Sequence, residues 1–520
     1  MSAPREIELK LECDGPDLAA LAAHPLLRGE GEGEAPEPIT STYYDTADGD
    51  LRKAGLTLRV RQRGARRIQT VKAAASGAGL FDRSEWEGDI AGDAPEPGAL
   101  ADSPITKILD DAKSPALVAQ FTTVVMRTER PVRYGTAQIT ATLDEGRVET
   151  PAGDVPLCEL ELELAEGDPA DLFALAQAIA ETVPLRLGAL AKSERGFALI
   201  DGTLRRPSKA APVALPEEAT AAESFRRIAQ SCLRHLRLNE AVFLADRDPE
   251  ALHQIRVALR RLRSAFTLFK PVFAQDPRAQ SLGDEIKRVT EPFGRARNLD
   301  VFLETTLPAE MERRPDEPGL HDLRERLVAE RDKAHEAVLA TLASPAWRSL
   351  ILDLVTWIET GPWLGADGHP QRDAPARAFA ADVLERFRRR VKTRGRHLRK
   401  LDPEARHKVR IAAKKLRYGA DFFASLYPEK KARKRHKAFA GALSDLQDHL
   451  GALNDLATAH EVMAGLAEPE AGLVNGVSAT GPALFAAGLT AADGEARADK
   501  LLEAADEAHE ELIDVKPFWR

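Results

Sequence analysis

Two carboxylates and a lysine alternate with apolar residues at the start of the chain, in Glu6-Ile7-Glu8-Leu9-Lys10. Successive side chains of a β-strand point to opposite faces, so Glu6, Glu8 and Lys10 share one face. Carboxylates about 7 Å apart on one face repel each other unless a cation lies between them, and a neighbouring lysine can hold an anion. The pattern indicates a site for a metal ion and a phosphate. The alternative is a half-buried strand with a solvated polar face.

The same alternation returns several times in the first two hundred residues. It recurs at Arg59, Arg61 and Arg63, at Thr70 and Lys72, at Arg83, Glu85 and Glu87, and at Glu159, Glu161 and Glu163. Strands that are charged on one face and apolar on the other predict a barrel with a charged lumen and a covered exterior. Because like charges along one strand face are destabilising unless countered, we expect arginine rows to face glutamate rows. A set of solvated strand faces is the competing interpretation.

These residues resemble the ExExK signature of the CYTH domain, the triphosphate tunnel metalloenzymes, with EIELK as the matching motif. The resemblance covers about residues 5–200 and extends through YYDT, LTLRVRQR, MRTER, LDEG, CELELEL and AKSERG. It implies an eight-stranded antiparallel tunnel that binds a triphosphate lengthwise. One departure is Thr140, which stands where the family usually has a carboxylate four residues before Asp144, and it bears on the number of metal ions bound.

The resemblance also implies a role for each matched residue. The implied ligands of Mg²⁺ or Mn²⁺ are Glu6, Glu8, Asp144, Glu159, Glu161 and Glu163, the last of which could instead lie at the tunnel mouth. The implied phosphate-binding residues are Lys10, Arg59, Arg61, Arg63, Lys72, Arg127, Lys192 and Arg195. Catalytic roles are predicted for Glu8, Glu161 and Lys72.

Composition narrows the class of protein. A chain of 520 residues is long enough for two to four domains. It shows neither the pattern of a secretory signal nor an apolar run of the ~20 residues that span a bilayer. The three cysteines lie far apart in sequence without CxxC spacing and are predicted to be reduced thiols. The predicted location is the cytoplasm.

The net charge of −9 conceals a division along the chain. Residues 1–201 contain roughly 35 acidic against 21 basic residues, whereas residues 386–437 contain roughly 21 basic against four acidic. A Pro- and Ala-rich stretch at 202–221 predicts a linker. After it, apolar residues recur every three or four positions, which predicts helices.

The helical half contains an internal repeat. DPEALHQIRVALRRLR, from Asp248, returns as DPEARHKVRIAAKKLR, from Asp402. Asp followed by Pro predicts an N-cap and first helical residue in both copies. The spacing then places His253, Arg256, Arg260 and Arg263 on one helix face, and His407, Arg410, Lys414 and Arg417 on the corresponding face. These eight residues predict a polyanion site, and a solvated basic helix is the alternative.

This half resembles the CHAD domain, an α-helical module of two similar four-helix bundles, over about residues 220–515. The resemblance implies binding of long-chain inorganic polyphosphate along a basic groove, and with it a cytoplasmic location that could be on polyphosphate granules. Nucleic-acid readers usually add aromatic stacking platforms or base-reading side chains, which are scarce here, so no specific nucleic acid is expected.

The sequence thus predicts an α+β multidomain chain. The predicted domains are an eight-stranded antiparallel β tunnel with helices at 1–201, the linker at 202–221, and an all-α duplicated four-helix-bundle domain at 222–516 with halves at 222–345 and 374–516. The predicted function is metal-dependent hydrolysis of inorganic tripolyphosphate to pyrophosphate and phosphate, with polyphosphate bound by the helical domain. Alternatives are adenylate cyclase or organic triphosphatase activity, or a polyphosphate-binding protein whose tunnel has weak or lost catalysis.

Overall fold

Strands dominate the first part of the computed structural model, which describes residues 5–28, 35–74, 77–100, 102–109, 116–365, 369–467 and 481–520. The strands are β1 (Arg5–Glu12), β2 (Glu37–Thr46), β3 (Leu56–Arg63), β4 (Arg66–Ala73), β5 (Leu80–Asp89), β6 (Leu117–Tyr134), β7 (Ala137–Thr150), β8 (Gly153–Glu166) and the two-residue β9 (Arg186–Leu187). They form one antiparallel sheet in the order β5-β4-β3-β2-β6-β7-β8-β1-β9.

Pairing of β1 with β5 closes the first eight strands into a barrel, as predicted. Strand β1 pairs with β5 through its first half and with β8 through its second half, so Glu8 lies opposite both Phe81 and Glu163. The strand that carries the ExExK pattern therefore forms the seam of the barrel. On its apolar face Leu9 and Leu11 are fully buried in the core.

Short helices cover the barrel. They are α1 (Leu18–Ala22), α2 (Asp50–Lys53), α3 (Ile105–Leu109), α4 (Pro169–Ala180) and α5 (Lys192–Ile200). Helix α4 buries Leu172, Phe173 and Ile179, and its N-cap Asp168 accepts a hydrogen bond from the N–H of Ala170. Burial of this apolar face on the sheet explains why the outward faces of the strands are apolar rather than solvated.

The second part of the chain is helical. Its helices are α6 (Ala221–Asp246), α7 (Pro249–Leu268), α8 (Pro277–Val289), α9 (Glu291–Val301), α10 (Leu307–Arg313), α11 (Pro318–Ala343), α12 (Pro345–Thr360), α13 (Ala376–Arg394), α14 (Pro403–Phe423), α15 (Lys430–Ala467) and α16 (Gly481–Asp514). The predicted N-caps are confirmed, because the carboxylates of Asp248 and Asp402 accept backbone N–H groups at the starts of α7 and α14.

The chain divides into two compact units that do not follow the order of the sequence. The first contains residues 1–209 together with 233–246 and 344–361, and the second contains 210–232, 247–343 and 362–520. Two segments of the helical half, the C-terminal part of α6 and all of α12, therefore belong to the barrel unit. Within the first unit Trp347 of α12 donates to Glu240 of α6 at 3.1 Å.

The predicted linker contains no helix or strand, but it is not simply exposed. Its Ser208 N–H donates to the side-chain oxygen of Asn239 at 2.9 Å, and Val213 and Leu215 are buried. Among the described residues no single helix is long and apolar enough to cross a bilayer, although α11 and the segment Pro345–Leu364 pass that test together as one bent pair, by length and composition only.

Candidate functional site

The inner face of the barrel encloses a cavity of about 150 Å³ with an almost entirely polar lining. The charged residues that line it are Glu6, Glu8, Lys10, Arg59, Arg61, Lys72, Arg83, Glu85, Glu87, Arg127, Glu129, Glu161, Glu163 and Lys192. The alternation in the strands accounts for this lining, since each strand turns its charged face inward and its apolar face toward the core. The predicted charged lumen is therefore present.

Three carboxylates meet beside this lumen, and Glu161 is the one of them that lines the cavity. Single oxygens of Asp144, Glu159 and Glu161 lie within 4.8 Å of one another. Two lysines contact the cluster: Lys192 Nζ is 2.8 Å from oxygens of Asp144 and Glu161, and Lys10 Nζ is 2.8 Å from Glu159. We call these three residues the carboxylate cluster.

The donor set of the cluster suits a hard divalent cation, which prefers carboxylate oxygens. Two further observations support the fit. Glu8 Oε1 and Glu159 Oε2 are buried, and neither accepts a hydrogen bond from the described residues. Burial, together with the charge of Glu161, raises the pKa of Glu8 to about 7. A nearby divalent cation would relieve both costs, so the carboxylate cluster, with Glu8 beside Glu161, suits such an ion.

Glu6 lies in a different part of the lumen. Its carboxylate accepts hydrogen bonds from Lys72 at 2.7 Å and from Arg83 at 3.1 Å. Burial acts to raise the pKa of Glu6, but these two cations outweigh it and lower the pKa to about 2. Lys72 also lies 3.0 Å from Glu85. The predicted ligand Glu6 is thus engaged by cations and is not gathered with the carboxylate cluster.

Arginines form the remaining wall. Arg127 is bound by Asp144, with Nη2 to Oδ2 at 2.6 Å, and Arg59 lies 3.9 Å from Glu85. Arg61 differs, because it has no ion pair among the described residues and its buried Nε has no hydrogen-bond acceptor. Burial, with Arg59 and Arg127 nearby, lowers the pKa of Arg61 to about 10. A buried guanidinium without a counter-ion is costly unless an anion binds there.

Three predicted residues take other places. Arg63 does not line the cavity and instead pairs with Glu37 and with Glu129, the latter at 3.1 Å. Arg195 lies outside the lining and binds Glu12 at 2.7 Å, so the structure does not bring it to the lumen. Glu163 lines the cavity but stands apart from the carboxylate cluster.

Several charged lining residues have no individual role among those that the resemblance implies. Arg83, Glu85 and Glu87 belong to the alternation that predicts the charged lumen, and all three line the cavity from β5. Glu129 follows Arg127 at strand spacing and could have been found in the same way. Thr140, the departure from the family pattern, lines the cavity opposite Glu163 in the register of β7 and β8.

The prediction of reduced thiols is confirmed among the three cysteines. Cys13 and Cys158 are far apart in sequence but adjacent in the barrel, with their Sγ atoms 3.3 Å apart. Both are free thiols, and Cys232 is buried elsewhere as a third.

In the second unit the two copies of the repeat come together, because α7 packs against α14. Arg256 and Arg260 of the first copy lie close enough to Arg410 and Lys414 of the second for their charges to interact. The Nε–H groups of these three arginines are buried, and none meets an acceptor in the described parts of the chain. We call these four residues the basic cluster.

The positive charges of the basic cluster disfavour the protonation of its own lysine. Burial, together with Arg410 and Arg260, lowers the pKa of Lys414 to about 7. Two cavities of about 730 and 760 Å³ border the cluster, and both are lined by Arg260 and Arg263. Like charges held together in this way indicate an anion site.

We call the two helix faces that were predicted to bind a polyanion, one in α7 and one in α14, the basic stripes. Their remaining residues differ from one another. Burial, with Arg297 nearby, lowers the pKa of His253 to about 4, so this ring is neutral at physiological pH. His407 is exposed, and Arg417 donates to the side-chain oxygen of Gln447 at 3.3 Å. Within the two basic stripes, the arginines and Lys414 therefore remain as candidates for binding a polyanion. Arg261, although basic, is buried against the ring of Phe422 and takes no part.

Comparisons with known proteins match the two halves separately. A CYTH domain model matches residues 4–197, and a CHAD domain model matches residues 227–464. The crystal structure of the CHAD domain from the plant Ricinus communis is 31% identical in sequence to this chain, with a TM-score of 0.50. The match covers 58% of this chain and 96% of the plant domain.

Relatives of the first half are more distant. The inorganic triphosphatase of Haemophilus influenzae is 26% identical over 164 residues, which is 31% of this chain and 46% of that relative, so the chain spans less than half the length of this curated relative. A protein from Hippeastrum described as an adenylyl cyclase with a dominant triphosphatase activity is 21% identical, covering 38% of this chain and 97% of its own with a TM-score of 0.29. The chain belongs to the CYTH family over residues 4–197 and to the CHAD family over residues 227–464.

Proposed function

We propose that the barrel is a metal-dependent inorganic triphosphatase that cleaves tripolyphosphate into pyrophosphate and phosphate. The observation that carries this proposal is the lumen itself, which is lined by Glu8, by Glu161 of the carboxylate cluster and by a set of buried cations. A linear triphosphate is a polyanion whose oxygens suit both groups. The cations would bind these oxygens directly, and the carboxylates would bind them through a divalent cation. The CYTH match and the inorganic triphosphatase relative support a triphosphatase-type activity.

In this proposal each part of the lumen has its own task. Arg59, Arg61 and Arg127 would bind phosphate oxygens and neutralise the charge that develops on the transferred phosphoryl group. Glu8 and the carboxylate cluster would hold Mg²⁺ or Mn²⁺, which supplies charge neutralisation and lowers the pKa of a bound water.

The other charged residues would bind and orient. Lys10 and Lys192 lie against the carboxylate cluster and would hold the phosphate nearest to it. Lys72, which Glu6 and Glu85 hold in place, would orient a phosphate farther along the cavity. The buried lumen also limits bulk water, which strengthens these electrostatic contacts.

A side-by-side substrate assay tests the proposal. Tripolyphosphate, ATP and thiamine triphosphate would be incubated with Mg²⁺ or Mn²⁺, with EDTA as the metal-free arm, while orthophosphate and cyclic AMP are measured. The proposal predicts a preference for tripolyphosphate and loss of the activity in EDTA. A preference for ATP with formation of cyclic AMP would favour the cyclase alternative. Hydrolysis of none of the three would favour a tunnel that has lost catalysis.

Replacing Arg61 by methionine is expected to change stability and function in opposite directions. Since Arg61 is a buried cation without an ion pair among the described residues, Arg61→Met should stabilise the fold by about 1 kcal/mol. It should also raise KM for tripolyphosphate by about 30-fold, because a charge-assisted contact with substrate is lost. Thermal unfolding and steady-state kinetics measure the two effects. A destabilised variant with unchanged KM would contradict the assignment.

We also infer that the basic cluster binds long-chain inorganic polyphosphate. Its buried Nε–H donors and clustered like charges call for a polyanion. Its four cations would contact phosphate oxygens rather than bases, which suits a polymer that has phosphates and no bases. The CHAD match supports this placement of a polyanion site.

Polyphosphate affinity is expected to fall as the pH rises above 7. Lys414, whose pKa is about 7, faces Arg256, Arg260, Arg410 and the single carboxylate of Asp455. Below pH 7 the Lys414 ammonium group is charged and attracts phosphate. Above pH 7 the side chain is mostly neutral, so the binding of phosphate there requires the uptake of a proton. The dissociation constant should therefore rise about tenfold between pH 7 and 8.5. Fluorescence anisotropy with labelled polyphosphate measures this, and Lys414→Arg, which stays charged, should remove most of the dependence.

A further inference from the structure

The segment from Leu187 to Lys192 lies directly against the buried lysine of β1. The Gly188 N–H donates to the carbonyl of Lys10 at 2.9 Å, and the Gly79 N–H donates to the carbonyl of Gly188 at 2.8 Å. A Cβ at Gly188 would come within 2.7 Å of Lys10 Cγ, so a larger residue could not approach so closely. The segment therefore covers the stem of Lys10 and leads straight into Lys192.

Two arginines of α6 hold the other side of this segment. Arg237 Nε donates to the carbonyl of Leu187 at 2.8 Å, and Arg234 donates to the carbonyl of Ala189. Arg234 also binds Glu194 Oε1 at 2.7 Å. All these residues belong to the first compact unit. The segment is thus bound on one side by β1 and on the other by α6.

Glu194 connects these contacts to the start of α5. Its second oxygen, Oε2, accepts the N–H of Ala191 at 2.9 Å, which caps the helix whose first residue is Lys192. Arg237 is itself fixed by Glu240 at 2.6 Å and lies 3.7 Å from Glu12, two residues beyond Lys10 in β1. Arg234 and Arg237 are therefore each one or two contacts away from a lysine of the lumen.

We propose that Arg234 and Arg237 are positioning residues for Lys192 and Lys10, so that a CHAD-matched helix completes the phosphate-binding wall of the CYTH barrel. Both arginines lie within residues 227–464, the range matched by the CHAD domain, and outside the range matched by the CYTH domain. The proposal rests on the proposed function of the lumen for its effect on substrate, but its structural part stands on these contacts alone.

Arg234→Met is the main test, carried out in the full-length chain. Arg237 is less suitable because its removal would leave the buried Glu240 without its counter-ion. Losing the hydrogen bonds of Arg234 should raise KM for tripolyphosphate about tenfold and change kcat less than threefold, since Lys192 binds substrate before and during reaction. Glu194→Gln, which keeps the helix cap and weakens the Arg234 contact, should show a smaller shift in KM.

Coupling to Lys192 separates positioning from general destabilisation. In a Lys192→Gln background, Arg234→Met should have little further effect on KM, because the residue through which it acts is gone. Equal effects of Arg234→Met with and without Lys192 would overturn the proposal. Arg247→Met is the matched control: it lies just beyond α6 in an exposed ion pair with Glu336 and should leave KM unchanged.

Amide hydrogen exchange decides the structural part independently of any activity. In Arg234→Met the N–H groups of Gly188 and Ala191 should exchange about tenfold faster than in the wild type, while β6 and β7 stay protected. Unchanged exchange at both amides would overturn the proposal. If the wild type does not hydrolyse tripolyphosphate, the proposed function fails, and the exchange data still decide whether α6 positions this segment.

Discussion

Glu161→Gln is expected to lower metal-dependent tripolyphosphate hydrolysis by about 10³-fold, or ~4 kcal/mol of transition-state stabilisation. Glu161 belongs to the carboxylate cluster and is also contacted by Lys10, by Lys192 at 2.8 Å and by Arg127 at 3.5 Å. Burial acts to raise the pKa of Glu161, but these cations lower it well below its ordinary value, so the group is ionised at neutral pH. The amide removes the negative charge that a divalent cation requires and keeps the size of the side chain.

The loss should be specific to the metal-dependent step. Without metal, in EDTA, Glu161→Gln should bind tripolyphosphate at least as tightly as the wild type, because one carboxylate that repels the substrate is gone. Calorimetry measures this binding, and thermal unfolding checks that the buried lysines remain accommodated. Glu166→Gln, at the exposed end of the same strand, is the control and should retain full activity. A rate within threefold of wild type for Glu161→Gln would rule out the assigned role.

Reversing the charge of Arg256 and Arg410 together is expected to weaken polyphosphate binding by at least 10²-fold. The two residues come from different copies of the repeat, and both have buried Nε–H groups without acceptors in the described structure. Binding of a polyanion releases condensed counterions, so wild-type affinity should fall steeply with salt, and the double variant should show a shallower slope. Fluorescence anisotropy at several salt concentrations measures both quantities. The measurement is made in a Glu161→Gln background so that the polymer is not hydrolysed.

A matched variant controls for total charge. Arg389→Glu with Lys408→Glu changes the net charge by the same amount at two exposed positions, 75% and 57% accessible, outside the basic cluster. This control should retain most of the affinity. In an otherwise wild-type chain, Arg256→Glu with Arg410→Glu should leave tripolyphosphate hydrolysis nearly intact. Polymer binding that survives the double reversal would show that the stripe is only a solvated face.

The faces of individual strands and helices were predictable because they follow from local geometry. Alternation in β1, β3 and β8 showed which face of each strand is charged. Successive side chains of a strand point to opposite faces whatever its partners are, so this assignment needed no tertiary contact. Asp-Pro at the starts of α7 and α14 fixed both helix beginnings, since an N-cap bonds only to its own first turn. The repeat likewise predicted that Arg256 and Arg410 occupy equivalent faces.

What each lumen residue contacts was not predictable in this way. The prediction grouped Glu6 with Glu8 as metal ligands because both lie on one strand face. Closure of the barrel instead pairs β1 with β5 and brings Arg83 to Glu6, whereas Glu8 lies beside Glu161. Arg195 failed to reach the lumen for a related reason, because Glu12 on the neighbouring strand binds it outside the cavity.

The sequence by itself therefore determined the two families, the charged lumen, the repeat and the residues that face each site, all of which depend on local periodicity or on motifs. Only the tertiary structure decided which carboxylates cluster and that Arg61 has no ion pair among the described residues. It also decided that the two basic stripes meet around Lys414, and that Arg234 and Arg237 bind the segment before Lys192. The physical reason is that these features depend on contacts between elements far apart in the chain. Their charges interact only after barrel closure and helix packing have brought them within a few ångströms.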